Sequence, residues 1–110
     1  MKRKILVFAT IIIASAGIGF AADATANWNQ NCASCHGKDG SGSTMMGKKL
    51  AVKDYRDPRV QAAFSDAEME RAIKEGVKTS GKQTMKPFGQ KLSEADIKAL
   101  VAYIRSFKKS

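Results

Sequence analysis

The chain is poor in residues that staple, ligate or punctuate: two cysteines, one histidine, two prolines and one tryptophan among 110 residues. Each scarcity excludes something. Cys32 and Cys35 stand so close in sequence that a disulfide between them would close a tiny loop and remove little unfolded-state entropy. A structural zinc site wants four ligands, whereas every Cys and His of the chain falls within residues 32–36. Carboxylates could complete a set, but adjacent Cys35 and His36 make an awkward bite for one metal. Prolines occur only at 58 and 87, so there is no Pro-rich linker. No repeat or low-complexity stretch divides the chain, whose length suits one domain. Anions are scarce too: 10 Asp and Glu face 19 Lys and Arg, a formal net charge of +9. Such a balance suits nucleic acid, an anionic membrane or an acidic protein. No basic run carries interleaved aromatics, which argues against nucleic acid.

Long apolar runs are missing except at the start. Lys2, Arg3 and Lys4 precede an apolar run from Ile5 to Ala14 that only Thr10 interrupts. Small residues follow at Gly19-Phe20-Ala21 and Ala22-Asp23-Ala24, the pattern of a cleaved export signal. The expected organisation is a signal peptide over 1–21, cut after Ala21 or Ala24, and one domain over 22–110. A retained membrane anchor is the rival, since Ile5 to Ala22 carries no charge. That stretch lies at the lower edge of the roughly 17–25 residues of a spanning helix, and its second half is Ala, Gly and Ser. On either reading the folded part is exported, and the expected location is periplasmic. Loss of the three leader cations lowers the net charge to +6. What remains, about 90 residues, is short for a self-sufficient core. Domains of that size lean on disulfides, a metal or a large cofactor.

The rest of the chain reads as helices. Ala24, Trp28 and Cys32 repeat at helical spacing in a first helix running from about Asp23. Ser65 with Glu68 forms a capping box that opens a second, with Phe64 and Met69 placed as a hydrophobic staple. Met69, Ala72 and Ile73 supply its apolar stripe and Gly76 its stop. Ser93 with Asp96 repeats the grammar for a third, with Leu92 and Ile97 as the staple. Ile97, Leu100, Val101 and Ile104 mark its buried face, and Lys108 and Lys109 suit its negative end. Asp57-Pro58 can open a short helix. Gly37 to Gly47 and Val77 to Gly89 read as loops, and no segment reads as a strand. The expected fold class is all-α.

Within this frame Cys32-Ala33-Ser34-Cys35-His36 is the attachment sequence of a c-type haem. Thiols three apart on a helical turn point the same way and can add to the two vinyl groups on one porphyrin edge. His36 then lies under the plane, where its imidazole can bind iron. A thioredoxin-like use of Cys-x-x-Cys would want a βαβ scaffold, and no strands are expected. A thioether suits the opposite axial position and raises the potential. Met45, Met46, Met69 and Met85 are the candidates. Met69 falls on an apolar stripe, where packing is the usual role. Met85 lies in Met85-Lys86-Pro87-Phe88-Gly89, where Pro87 stiffens the loop and Phe88 can cover a haem face.

From about Ala24 to Phe107 the chain resembles a class I c-type cytochrome of the small bacterial monohaem kind. The resemblance rests on the haem motif, on Ala24 and Trp28 ahead of it, on Leu100-Val101-Ala102-Tyr103, and on the Met-x-Pro-aromatic-Gly segment at Met85. It implies N- and C-terminal helices that cross with Trp28 touching Tyr103. It implies haem c bound through Cys32 and Cys35 and ligated by His36 and Met85. The function implied is single-electron transfer with no catalytic residues, by a monomer that meets redox partners and touches membranes only transiently. Lys48, Lys49, Lys82, Lys86 and Lys91 flank the expected ligands and would suit acidic partner faces. One feature departs from the family: no Pro lies between Gly37 and Asp57 to offer its carbonyl to the axial imidazole. A backbone carbonyl within 43–47 is the expected substitute. Two other readings stay open: a haem-based peroxidase or gas-binding protein with a labile sixth ligand, and a fixed cytochrome subunit of a redox complex.

Overall fold

The structure is a computed structural model that describes residues 20–109, with 3–5, 7, 9 and 10 ahead of them. Most of the expected export signal lies outside the described residues, and among those described no helix is long and apolar enough to cross a membrane. Among the described residues six helices and one hairpin follow in order: α1 (Phe20–Asn31), α2 (Ala33–His36), α3 (Met45–Leu50), α4 (Pro58–Ala63), α5 (Asp66–Glu75), β1 (Val77–Thr79), β2 (Lys82–Met85) and α6 (Glu94–Ser106).

The capping signals in the sequence act as written. Asp57 caps α4 by accepting from the Arg59 amide, with Pro58 in its first turn. Ser65 accepts from the Glu68 amide at 3.1 Å while Glu68 reaches back to the Ser65 amide at 3.2 Å. Ser93 and Asp96 make the same reciprocal pair at 3.1 Å each, so both capping boxes are closed. Caps only start helices; burial holds them. Helix α6 packs across α1, burying Ile97, Leu100, Val101 and Ile104 in one cluster with Trp28 and Cys32. The rings of Trp28 and Tyr103 sit 5.8 Å apart, as the family resemblance implies.

Two expectations fail locally. Val77 to Gly89 is not all loop: β1 and β2 pair antiparallel, with Val77 opposite Met85 and Thr79 opposite Lys82. The turn between them holds Ser80 at φ 52° and Gly81 at φ 78°, the paired positive angles of a tight primed hairpin turn. The fold remains mostly helical with this small sheet added. The loop after His36 also ends earlier than its glycines suggest. Thr44 caps α3 by accepting from the Gly47 amide at 2.8 Å, so a helix begins at Met45.

Helix α6 gives a stability test. Leu100, fully buried, should cost about 2–5 kcal/mol when cut to Ala, while Ser93→Ala should cost about 1 kcal/mol. Guanidinium unfolding of the haem-loaded protein would rank the two; equal costs would mean that the cap, not the core, holds α6.

Candidate functional site

The site is built where the first turn after α1 meets the segment after α5. Helix α2 is one turn long and carries Cys35 and His36, with Cys32 at its N-terminal boundary. Helix α3 packs on it at very close range. Gly47 has no side chain because a Cβ there would collide with the carbonyls of Cys35 and Gly42. Thr44 donates its hydroxyl to the same Cys35 carbonyl at 2.7 Å. Trp28 closes the other side, its indole N–H donating to the Gly37 carbonyl at 2.9 Å. The attachment turn is thus gripped from α1 and from α3.

Met85 arrives at the end of β2. Helix α5 stops at Gly76 (φ 78°), where a Cβ would lie 2.5 Å from the Met85 carbonyl. Beyond Met85 the chain docks on the open end of α5: the Phe88 amide donates to the Ile73 carbonyl at 2.9 Å and Gly89 to Lys74 at 3.1 Å. Those carbonyls are among the four that a helix end leaves unpaired. Phe88 itself is buried.

Between these parts lies a cavity of about 300 Å³. Cys32, His36, Met69 and Met85 line it, together with Trp28, Tyr55, Leu50, Val52, Ile73, Leu100 and Ile104. Its polar lining includes Lys53, Glu68, Thr79 and Thr84. Met45 and Met46 do not line it; Met45 is 91% exposed on the outside of α3. Of the four thioether candidates the structure therefore brings two to the cavity. Met69 comes from the middle of α5, and Met85 comes from a strand end beside a tightly anchored loop.

The electrostatics suit a large, apolar, metal-containing guest. Burial pushes the Cys32 thiol up to about 11, and the neighbouring Cys35 adds to the shift. A thiol held protonated is a poor redox nucleophile, so thioredoxin-like chemistry is disfavoured. Burial also lowers the pKa of His36, which keeps the imidazole neutral and able to ligate at pH 7. Its Nδ1 is buried without a hydrogen-bond partner. The acceptor expected within 43–47 is therefore not found. The Thr44 hydroxyl holds the Cys35 carbonyl instead, and His36 stacks on Tyr55 with ring centroids 5.3 Å apart. Sequence reasoning did not single out Tyr55: one aromatic beyond a glycine-rich loop carries no motif. Among the described residues no cluster of three or more His, Cys, Asp or Glu side chains is arranged to hold a bare metal ion. The structure brings Cys32 to the cavity while Cys35, half-buried in α2, does not line it. An apolar cavity with a thiol, a neutral imidazole and a thioether on its walls and a second thiol one turn on still fits a haem c.

The flanking lysines are all exposed. Lys86 lies 5.6 Å over the Phe88 ring and Lys91 reaches the Asn31 side chain at 2.7 Å. Lys53, which sequence reasoning passed over, lines the cavity, whereas the five flanking lysines do not.

Comparison with known proteins agrees with the geometry. A family profile described as cytochrome c oxidase, cbb3-type, subunit III matches residues 19–104. The chain is 35% identical to cytochrome c6 of Picosynechococcus over 94% of its own length and 92% of that protein. It is 32% identical to cytochrome c-554(547) of Halothiobacillus neapolitanus over 82% of its length and 99% of that protein. Among solved structures, the KustC0563 c-type cytochrome superposes with a TM-score of 0.70 at 38% identity, covering 79% of this chain and 99% of that one. The chain accordingly belongs to the c-type cytochromes as a small monohaem class I member, a haem-based electron-transfer protein whose cofactor is covalent haem c.

Proposed function

We propose that the protein is an exported single-electron carrier whose haem c is attached through Cys32 and Cys35 and ligated by His36 and Met85. The observation that carries the reading is that one apolar cavity is lined at once by Cys32, His36 and Met85. The haem supplies reversible one-electron chemistry at iron, with the protein setting potential and access. His36 stays neutral through burial and offers a ring nitrogen. Met85 offers a soft thioether from a backbone fixed by Gly76 and the end of α5. The walls around both ligands are mostly apolar. No acid, base or nucleophile is required, and His36 is the one histidine in the chain.

Export supports the reading, because the positive, apolar and small stretches of the leader lie in the order a signal requires. The fold favours one of the two cleavage positions. Ala24 is 2% exposed, one turn ahead of Trp28, so a cut after Ala24 would remove a core residue while a cut after Ala21 spares it. The protein then works in the periplasm as a monomer and meets membranes only through its partners. Exposed Lys48, Lys49, Lys82, Lys86 and Lys91 give it a positive face toward acidic docking surfaces. The matched profile's description, a subunit of an oxidase, favours a second reading in which the cytochrome stays docked to one redox complex. Stable co-purification with that complex would separate it from a free shuttle.

Three outcomes are expected. The dithionite-reduced spectrum should be unchanged by carbon monoxide, whereas Met85→Ala should bind the gas; Met45→Ala and Met46→Ala should behave like the parent. A Met85→Ala protein that refuses carbon monoxide would assign the sixth position elsewhere, with Met69 next in line. Mass spectrometry of the exported protein should find a chain beginning at Ala22. Oxidation by ferricyanide, an anion, should slow as salt rises, since charges more than about 8 Å apart are largely screened at physiological ionic strength. A flat response removes the steering role of the lysines.

A further inference from the structure

The imidazole of His36 is held in a way that the family pattern does not describe. In a metal-bound histidine the second ring nitrogen carries a proton and donates it to a carboxylate, a carbonyl or water, which fixes the ring's rotation. Here Nδ1 is buried with no partner. The carbonyls nearest it in the chain each accept from another donor. Cys35 accepts from the Thr44 hydroxyl at 2.7 Å, and His36 accepts from the Gly42 amide at 2.8 Å. Gly37 accepts from the Trp28 indole at 2.9 Å. Another contact must stop the ring from turning.

Two aromatic rings are in place to do so. Tyr55 stacks on His36 at 5.3 Å between centroids and 28° between planes. Trp28 lies at 5.6 Å and 38°. Each residue is also held by contacts to residues other than His36. The Trp28 indole is hydrogen bonded at its N–H and packed 5.1 Å from the Phe107 ring. The Tyr55 amide donates to the Gly40 carbonyl at 2.8 Å, and its carbonyl accepts from the Gln61 side chain at 2.7 Å. Gln61 is buried and also donates to the Ile104 carbonyl at 2.8 Å, tying this strap to α6. Rings packed this closely favour one mutual orientation over others.

We propose that Tyr55 is a positioning residue for the axial histidine: its stacked ring, with Trp28, fixes the rotation of the His36 imidazole in place of the hydrogen bond that Nδ1 lacks. The proposal rests on His36 being an iron ligand. Because rotation of that ring turns the ligand plane against the porphyrin, the ring of Tyr55 matters and its hydroxyl does not.

Paramagnetic NMR of the ferric holoprotein tests this, since the haem methyl shifts report the orientation of the axial ligand planes. Tyr55→Phe should reproduce the parent pattern, and Tyr55→Leu should reorder the methyl shifts. A parent-like pattern in Tyr55→Leu overturns the proposal, as does equal disturbance in both variants. Should Tyr55→Leu fail to load haem, the parent decides. Labelling with 15N-histidine gives signals from one ring, His36 being the only histidine. A scalar coupling from its Nδ1–H to a backbone carbonyl in the ferrous protein would show that an acceptor orients the ring, and would overturn the proposal; a buried Nδ1–H without such a coupling supports it. Failure of the ligation reading looks different: the His36 ring nitrogens would then lack iron-induced shifts in the ferric parent itself.

Discussion

Trp28 ties the core of this small domain to its site. The side chain is almost wholly buried, and its rings meet Tyr103 and Phe107 at the far end of the chain as well as His36 close by. Its one polar atom is satisfied by the carbonyl of Gly37, the residue after His36. A buried indole with an unpaired N–H would be costly, so the indole and the attachment turn hold each other in register. Helix α6 is held against α1 through the same cluster, with Leu100 beside the indole in the core. The crossing of first and last helices thus also defines where the imidazole stands.

The opposite part of the site depends on a different economy. A helix end leaves carbonyls without partners, and a segment bearing a ligand needs its backbone fixed. Between Ile73 and Gly89 one set of contacts meets both needs. The amides of Phe88 and Gly89 take up the carbonyls of Ile73 and Lys74, while Gly76 turns the chain where any side chain would strike the backbone of Met85. The short hairpin between them returns the chain to α5 and brings Thr79, Thr84 and Met85 to the cavity.

How far this was legible in the sequence follows from which signals are local. Ser65 with Glu68, Ser93 with Asp96 and Asp57 with Pro58 announce helix starts because the capping partners lie within three residues of each other. Cys32, Cys35 and His36 are legible because covalent chemistry dictates their spacing. The hairpin was not. Both its strands are largely exposed, so no inside–outside alternation marks them, and the remaining signal was Ser80-Gly81 following Val77-Lys78-Thr79. Helix α3 hid for a related reason: Gly47 reads as a breaker, yet it is required by the approach of the Cys35 carbonyl. The stacking of Tyr55 on His36 joins residues 19 apart through tertiary folding, and no local rule encodes such a contact.

The distribution of polar groups around the cavity bears on what the domain can do. The walls are hydrocarbon and aromatic, and the charged groups on the lining are Lys53 and Glu68. Glu68 is engaged at the start of α5, where the Ser65 amide and hydroxyl hold its carboxyl below the usual range. It is therefore a committed anion rather than a group poised to exchange protons near neutrality. Tyr55 is pushed the other way by burial, which keeps its phenol neutral. Burial keeps His36 neutral as well, so of these three groups Glu68 alone carries a charge. A mostly apolar pocket of this kind fits a covalent haem c and the electron transfer that the family relationship gives.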